Sequence, residues 1–225
     1  MIRLSQILVV WLVTLVSLGA GEPSLDLSLL EKSFQAQKKI RSISAEFIQT
    51  RALKTLKNPI AIKGRFWFEA PDMFRWELGE PAKSIVIGSP KGVSIIQPAK
   101  KRVEKFDFTN PAQAQGAPEF LRVVNMLSSQ SVENLQNEMN ILSLKNTGSH
   151  CRLEMLPKDP QMAKGLSSLV LDFDQSTGYW IAFELVTKEG SSMRTEFRNV
   201  QLNAKLDTQT FEFDTTGYRI DEAGR

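Results

Sequence analysis

Residues 64–78 read GRFWFEAPDMFRWEL, two aromatic runs on either side of Ala70-Pro71-Asp72. That spacing leaves few folds open. Proline presets φ, and aspartate can bond its own backbone, so the centre is a turn and the flanks are the strands of a β-hairpin. With a loop over 69–73, Phe68 pairs with Phe74 and Phe66 with Trp76, and these four aromatics share one face with Leu78. Arg65, Trp67, Arg75 and Glu77 take the other face. A loop one residue shorter pairs Trp67 with Trp76 instead, because a one-residue slip turns every side chain of a strand over. Both registers put a heavy apolar load on one hairpin, which suits the core of a β-protein or the wall of an apolar site.

The strands continue around it. Residues 43–47 alternate as ISAEF, followed by a polar arm over 49–57 and by Asn58-Pro59. After the hairpin, residues 81–88, 93–97 and 102–108 read as strands, and five or six strands in succession without a helix argue for an antiparallel meander. Residues 109–118, TNPAQAQGAP, are loop by composition. Residues 120–127 then form a short helix whose Phe120, Leu121, Val123, Val124 and Leu127 cover most of its circumference, so it must be covered on nearly all sides. Residues 131–136 read as loop, and strands resume at 139–144, 151–156, 166–173, 180–188, 193–202 and, last, the TFEF run 210–213. An amphipathic helix precedes them all over 24–40, with Leu27, Leu30 and Phe34 at helical spacing.

Residues 1–20 differ from the rest: Arg3 supplies a positive start, 7–18 is mostly apolar, and small residues follow. This is the pattern of a secretory signal peptide, with cleavage between Gly19 and Glu22 and no cysteine there to carry an acyl anchor. The expectation is an exported protein with one domain over 21–225. The net charge of +3 falls to +2 with the loss of Arg3, and is no nucleic-acid signature. The cluster Lys100, Lys101, Arg102 and Lys105, interleaved with Glu104, reads as the solvated edge of a sheet.

A catalytic reading has little support. The sole histidine, His150, adjoins the sole cysteine, Cys151. Neighbouring strand residues face opposite ways, so the two are badly placed as base and nucleophile. No Gly-x-Ser-x-Gly elbow or phosphate-binding glycine loop occurs, and two Cys/His residues are too few for a zinc site. Asp172 and Asp174 share one strand face, which reads as a solvated one. Cys151, Leu153 and Met155 alternate as an inward face does. The chain reads as a non-enzyme that buries something apolar, without a cofactor.

The ordered run AEFIQTR, GRFWFEAPDMFRW, EPAKSIVI, then LEMLPK, EFRNVQLN and the closing TFEF resembles the LolA family of periplasmic lipoprotein carriers through nearly the whole mature chain. The resemblance implies a mainly β (α+β) fold, an incomplete antiparallel β-barrel of ten or eleven strands closed by an N-terminal helix and a short lid helix over a hydrophobic cavity. It implies a monomer that holds acyl chains of lipoproteins or other lipids, taking cargo from an inner-membrane ABC transporter to an outer-membrane acceptor. A related alternative is a periplasmic β-domain that docks protein partners. The lipid-binding residues on this reading are Phe47, Phe66, Phe68, Phe74 and Trp76 of the wall and Phe120, Leu121, Val123 and Val124 of the lid. Three departures stand out. The arginine that precedes the hairpin proline in the family, and can latch the lid, is Ala70 here; the family's Asp-Gly turn is Ser89-Pro90; and Thr215 or Thr216 replaces the proline after the last strand.

Overall fold

The computed structural model describes residues 27–110, 113 and 131–222. Its strands are β1 (Ser42–Ala52), β2 (Ile60–Glu69), β3 (Met73–Leu78), β4 (Ser84–Ser89), β5 (Gly92–Gln97), β6 (Arg102–Phe106), β7 (Met139–Asn146), β8 (His150–Pro157), β9 (Leu166–Asp174), β10 (Trp180–Thr187), β11 (Ser192–Leu202) and β12 (Arg219–Glu222). Among the described residues three α-helices accompany them: α1 (Ser28–Gln37), α2 (Val132–Glu138) and α3 (Met162–Gly165).

All twelve described strands belong to one open sheet in the order β12-β6-β5-β4-β3-β2-β1-β11-β10-β9-β8-β7. Two antiparallel meanders, β2 to β6 and β7 to β11, are joined by β1, which pairs with β2 on one side and β11 on the other. The sheet does not close on itself, and this is the incomplete barrel that the resemblance implies. Side chains alternate between its two faces. On one, the inner face, α1 contributes Leu30 and Phe34, α2 Leu135 and α3 Met162 to a single core with Phe47, Trp76, Leu153, Met155, Leu169, Leu171 and Phe183.

The outer face is divided. Toward β4, β5 and β6 it carries a second, smaller apolar cluster of Ile85, Ile96 and Val103, covered by Phe213 and Tyr218 from the C-terminal segment. Toward β8 to β11 it is a ladder of charge: Asp172 takes Arg152 at 3.1 Å and Arg194 at 2.9 Å, and Arg194 also reaches Glu196 at 2.9 Å. Cross-strand pairs of this kind stabilise a wet sheet face modestly. Asp172 is thus an ion-pair anchor between two arginines and only 15% exposed, rather than a freely solvated carboxylate. Asp174 instead serves the β9–β10 turn, where its Oδ1 accepts from Ser176 and Thr177.

Several sequence expectations are corrected. Residues 210–213 are not a strand. Thr208–Phe211 is a 3₁₀ turn that Asp207 starts by accepting from the Gln209 N–H at 3.0 Å, and Arg75 donates to the carbonyls of Thr210 (3.1 Å) and Glu212 (2.9 Å). Held that way, the segment lies across the sheet rather than in its ladder. The last strand is β12, parallel to β6 with Arg219 opposite Arg102. The basic cluster near residue 102 is therefore no free edge, and Arg102 pairs with Asp221 at 2.7 Å. Residues 131–136 open a helix, α2, because the Ser131 hydroxyl accepts the Asn134 N–H at 3.1 Å and caps it. Residues 81–83 belong to the β3–β4 turn, with the Lys83 N–H donating to the Leu78 carbonyl, and β4 starts at Ser84. The strand expected to reach residue 108 stops at Phe106, since the Asp107 carboxylate accepts from the N–H and hydroxyl of Thr109 and turns the chain. The leader over 1–20 and the helix over 120–127 lie outside the described residues.

Candidate functional site

The hairpin adopts the longer-loop register. Gly64 faces Leu78, Phe66 faces Trp76, Phe68 faces Phe74, and Glu69 faces Met73 across Ala70-Pro71-Asp72. On β1, Ala45 pairs with Phe66 and Phe47 with Gly64, so the inner face of three strands merges into one apolar surface. Two glycines make the rings fit. A Cβ at Gly64 would stand 2.0 Å from Phe47 Cζ, so only a bare backbone lets that ring lie flat on β2.

Five rings from five strands then meet. Phe47 and Trp76 have centroids 4.0 Å apart, Phe66 and Trp76 5.6 Å, and Trp76 and Phe197 5.9 Å in an edge-on arrangement. Phe183 completes the group at 6.3 Å from Phe197. Apart from the closer Phe47–Trp76 pair, these separations fall within the roughly 4.5–7 Å that suits offset and edge contacts between aromatic quadrupoles. Phe47 and Trp76 are buried, while Phe66, Phe74 and Phe197 are half-buried and pack against the core from its margin. Leu78, Ile95 and Met193 occupy similar half-buried places.

Of the wall residues singled out in the sequence, Phe47, Phe66 and Trp76 fall in this cluster. Phe74 joins the same core from the adjoining part of β3, and Phe68 is half-buried between Ile43 and Phe74 on the same face. Phe120, Leu121, Val123 and Val124 lie outside the described residues. Phe183 and Phe197 were not singled out. The signal was there in the alternation of Phe183 with Leu185 and in the lone ring of β11, but what brings them to the hairpin is the pairing of Phe47 with Phe197 across residues 150 apart in sequence.

On the other face of the hairpin, Glu77 is buried and accepts from Arg75 (2.8 Å to Nε, 2.7 Å to Nη2) and from Arg65 at 3.0 Å. Arg75 thus ties the hairpin to the C-terminal segment on the outer face. At the hairpin turn the Ala70 N–H donates to the Arg41 carbonyl at 2.8 Å.

Among the described residues, nothing in this arrangement resembles a reaction centre. His150 is exposed, while Cys151 is fully buried on the opposite face, and burial pushes its thiol up, against a hydrogen bond with Gln175 that lowers it. Among the described residues no group of three or more His, Cys, Asp or Glu is placed to hold a metal, and no helix is long and apolar enough to cross a membrane.

None of the curated proteins matches the chain. Among solved structures, an uncharacterized conserved protein from Thermus thermophilus aligns with a TM-score of 0.52 at 7% identity, over 87% of this chain and 97% of that one. The complex of MucA and MucB from Pseudomonas aeruginosa aligns at 0.49 and 14% identity, over 83% of this chain and 60% of that one. A LolA superfamily protein from Nitrosomonas europaea aligns at 0.42 and 10%, over 83% and 96%. At 7% identity the likeness to the Thermus thermophilus protein is one of fold alone. Residues 38–214, from the end of α1 through the C-terminal 3₁₀ turn, match the family model described as outer membrane lipoprotein carrier protein LolA, and the chain belongs to that family.

Proposed function

We propose that this protein is a periplasmic carrier that shields the acyl chains of lipoproteins on the inner face of its open sheet, taking them from an inner-membrane ABC transporter to an outer-membrane acceptor. The observation that carries the reading is the half-buried ring of aromatics, Phe66, Phe74 and Phe197, at the margin of a continuous apolar face. Phe47, Phe68 and Trp76 form the rest of the wall, and Phe120, Leu121, Val123 and Val124 supply the lid. The role is one of binding, not catalysis.

The energetics of such a task favour this kind of surface. Each methylene taken from water contributes about 0.8 kcal/mol, so a chain of about fifteen contributes roughly 12 kcal/mol, comparable with nanomolar binding. An acyl chain therefore needs a cover to cross an aqueous gap. Aromatic and aliphatic walls hold it through non-directional contacts, which a partner can replace without breaking specific hydrogen bonds.

Native mass spectrometry of protein purified from its own periplasm tests the cargo directly. A lipidated protein should leave with it; another lipid would redirect the cargo, and a lipid-free protein bound to another protein would favour the docking role. In vitro, Phe74→Glu should weaken binding of an apolar fluorescent dye by about tenfold or more, since an unpaired charge is costly against an apolar ligand. Unaltered dye binding by this folded variant would count against the inner face as the site.

A further inference from the structure

The connection between β1 and β2 combines two features that neither the sheet nor the inner site requires. Leu53, Leu56 and Ile60 are exposed by 39%, 46% and 43%, and they are three of the five large apolar side chains left exposed among the described residues. Single exposed leucines are ordinary on a protein surface, but three within eight residues of one hairpin tip form a patch. The local backbone presents them: the Leu56 N–H donates to the Leu53 carbonyl at 2.9 Å, closing a turn with Leu53 and Leu56 at its two ends and Lys54 and Thr55 between them.

The second feature is charge. Residues 51–63 carry Arg51, Lys54, Lys57 and Lys63 and no acid. Packed neighbours do not reverse this. The Lys54 N–H donates to Ser191 Oγ at 3.3 Å, which sets the β10–β11 turn beside the tip with one cation, Lys188, and one anion, Glu189. The Gly79 N–H donates to the Lys63 carbonyl, which brings the β3–β4 turn with Glu80 and Lys83. Each adjoining turn is balanced, so the excess of cations stands, with Arg51, Lys54 and Lys57 at the tip and Lys63 further along β2.

We propose that this β1–β2 tip docks on a lipid surface that bears anionic headgroups. Apolar side chains that insert shallowly, ringed by lysines whose long stems reach up to phosphates, fit the polar–apolar boundary of a bilayer. A polar protein partner would match the cations but leave the three exposed apolar groups in water. The docking surface is separate from the carrier site: Ile60 begins the ten-residue β2 and Phe68 is near its other end, some 25 Å away at about 3.3 Å per residue. The inference stands whether or not the inner face carries lipoprotein.

The test is co-sedimentation of the mature chain with phosphatidylcholine vesicles, with and without phosphatidylglycerol. Wild-type protein should sediment with the anionic vesicles only, and less so as salt is raised. Leu53→Ser with Leu56→Ser, and separately Lys54→Glu with Lys57→Glu, should each lower binding by about tenfold or more while melting as the wild type does. Phe74→Glu, on β3 opposite Phe68 at the far end of the hairpin, should sediment like wild type even where it has lost dye binding, which separates failure of the docking surface from failure of the carrier site. The proposal is overturned if wild-type protein ignores both vesicle types, binds them equally, or binds as well after either tip substitution, or if Phe74→Glu abolishes sedimentation.

Discussion

The ring of Phe74 lies on the backbone of Gly88, so that a Cβ at Gly88 would stand 1.9 Å from Phe74 Cε1. The two residues are register partners on β3 and β4, and the glycine leaves room for the ring to lie against the strand. Phe47 has the same relation to Gly64 on β2, with one difference: there the added carbon would also stand 2.4 Å from the Glu77 carbonyl oxygen, which belongs to backbone.

That difference predicts two unequal substitutions. Gly64→Ala should destabilise by about 3 kcal/mol, because neither the buried Phe47 nor the backbone of β3 can withdraw. Gly88→Ala should cost about 1 kcal/mol, since the half-buried Phe74 can swing aside, but should also disturb dye binding. Urea denaturation of both variants, with dye titration, measures the contrast; equal destabilisation would show that the rings are not what the glycines accommodate.

Arg75 should matter more to the C-terminal segment than to the lipid wall. It neutralises the buried Glu77 and donates to the Thr210 and Glu212 carbonyls. Arg75→Ala should therefore destabilise by about 2–3 kcal/mol, the remaining Arg65 partner limiting the loss. Limited proteolysis should show new cleavage over 203–218, with dye binding retained.

Asp174 gives a pH-dependent contribution with a definite sign. Partial burial works to raise its carboxyl, but hydrogen bonds from the hydroxyls and N–H groups of Ser176 and Thr177 outweigh it and hold the group below its ordinary value of 3.8. A carboxyl lowered by folding stabilises above its unfolded value, and that stability is lost as pH falls through the folded one. Asp174→Ala should thus cost about 1 kcal/mol at neutral pH, and the difference from wild type should shrink only below about pH 4. Thermal melts of both proteins across acid pH check it.

Cys151 is fully buried beside Phe173 on β9, and burial raises its thiol. The native protein should not react with an aromatic disulfide reagent at neutral pH, and should react fully in denaturant.

Local chemistry determined a good deal by itself. Ala70-Pro71-Asp72 placed the hairpin turn, two-residue alternation placed nearly every strand of both meanders and the inward Cys151, and the ordered motifs pointed to the family and its open barrel. These are properties of a few neighbouring residues. Some errors were local, as at the Ser131 cap and the Asp107 turn, but the largest fell where a distant group outweighs local preference. The TFEF run has strand composition, yet Arg75 from β3 holds its carbonyls on the outer face, and β12 takes the edge of β6 instead. The site shows the same division. Sequence narrowed the hairpin to two registers, and the structure adopts the one in which Phe66 and Trp76 share a face. Only the tertiary pairing of β1 with β11 added Phe197, and with it Phe183 from β10, since a contact between Phe47 and a ring 150 residues away depends on register across the whole sheet.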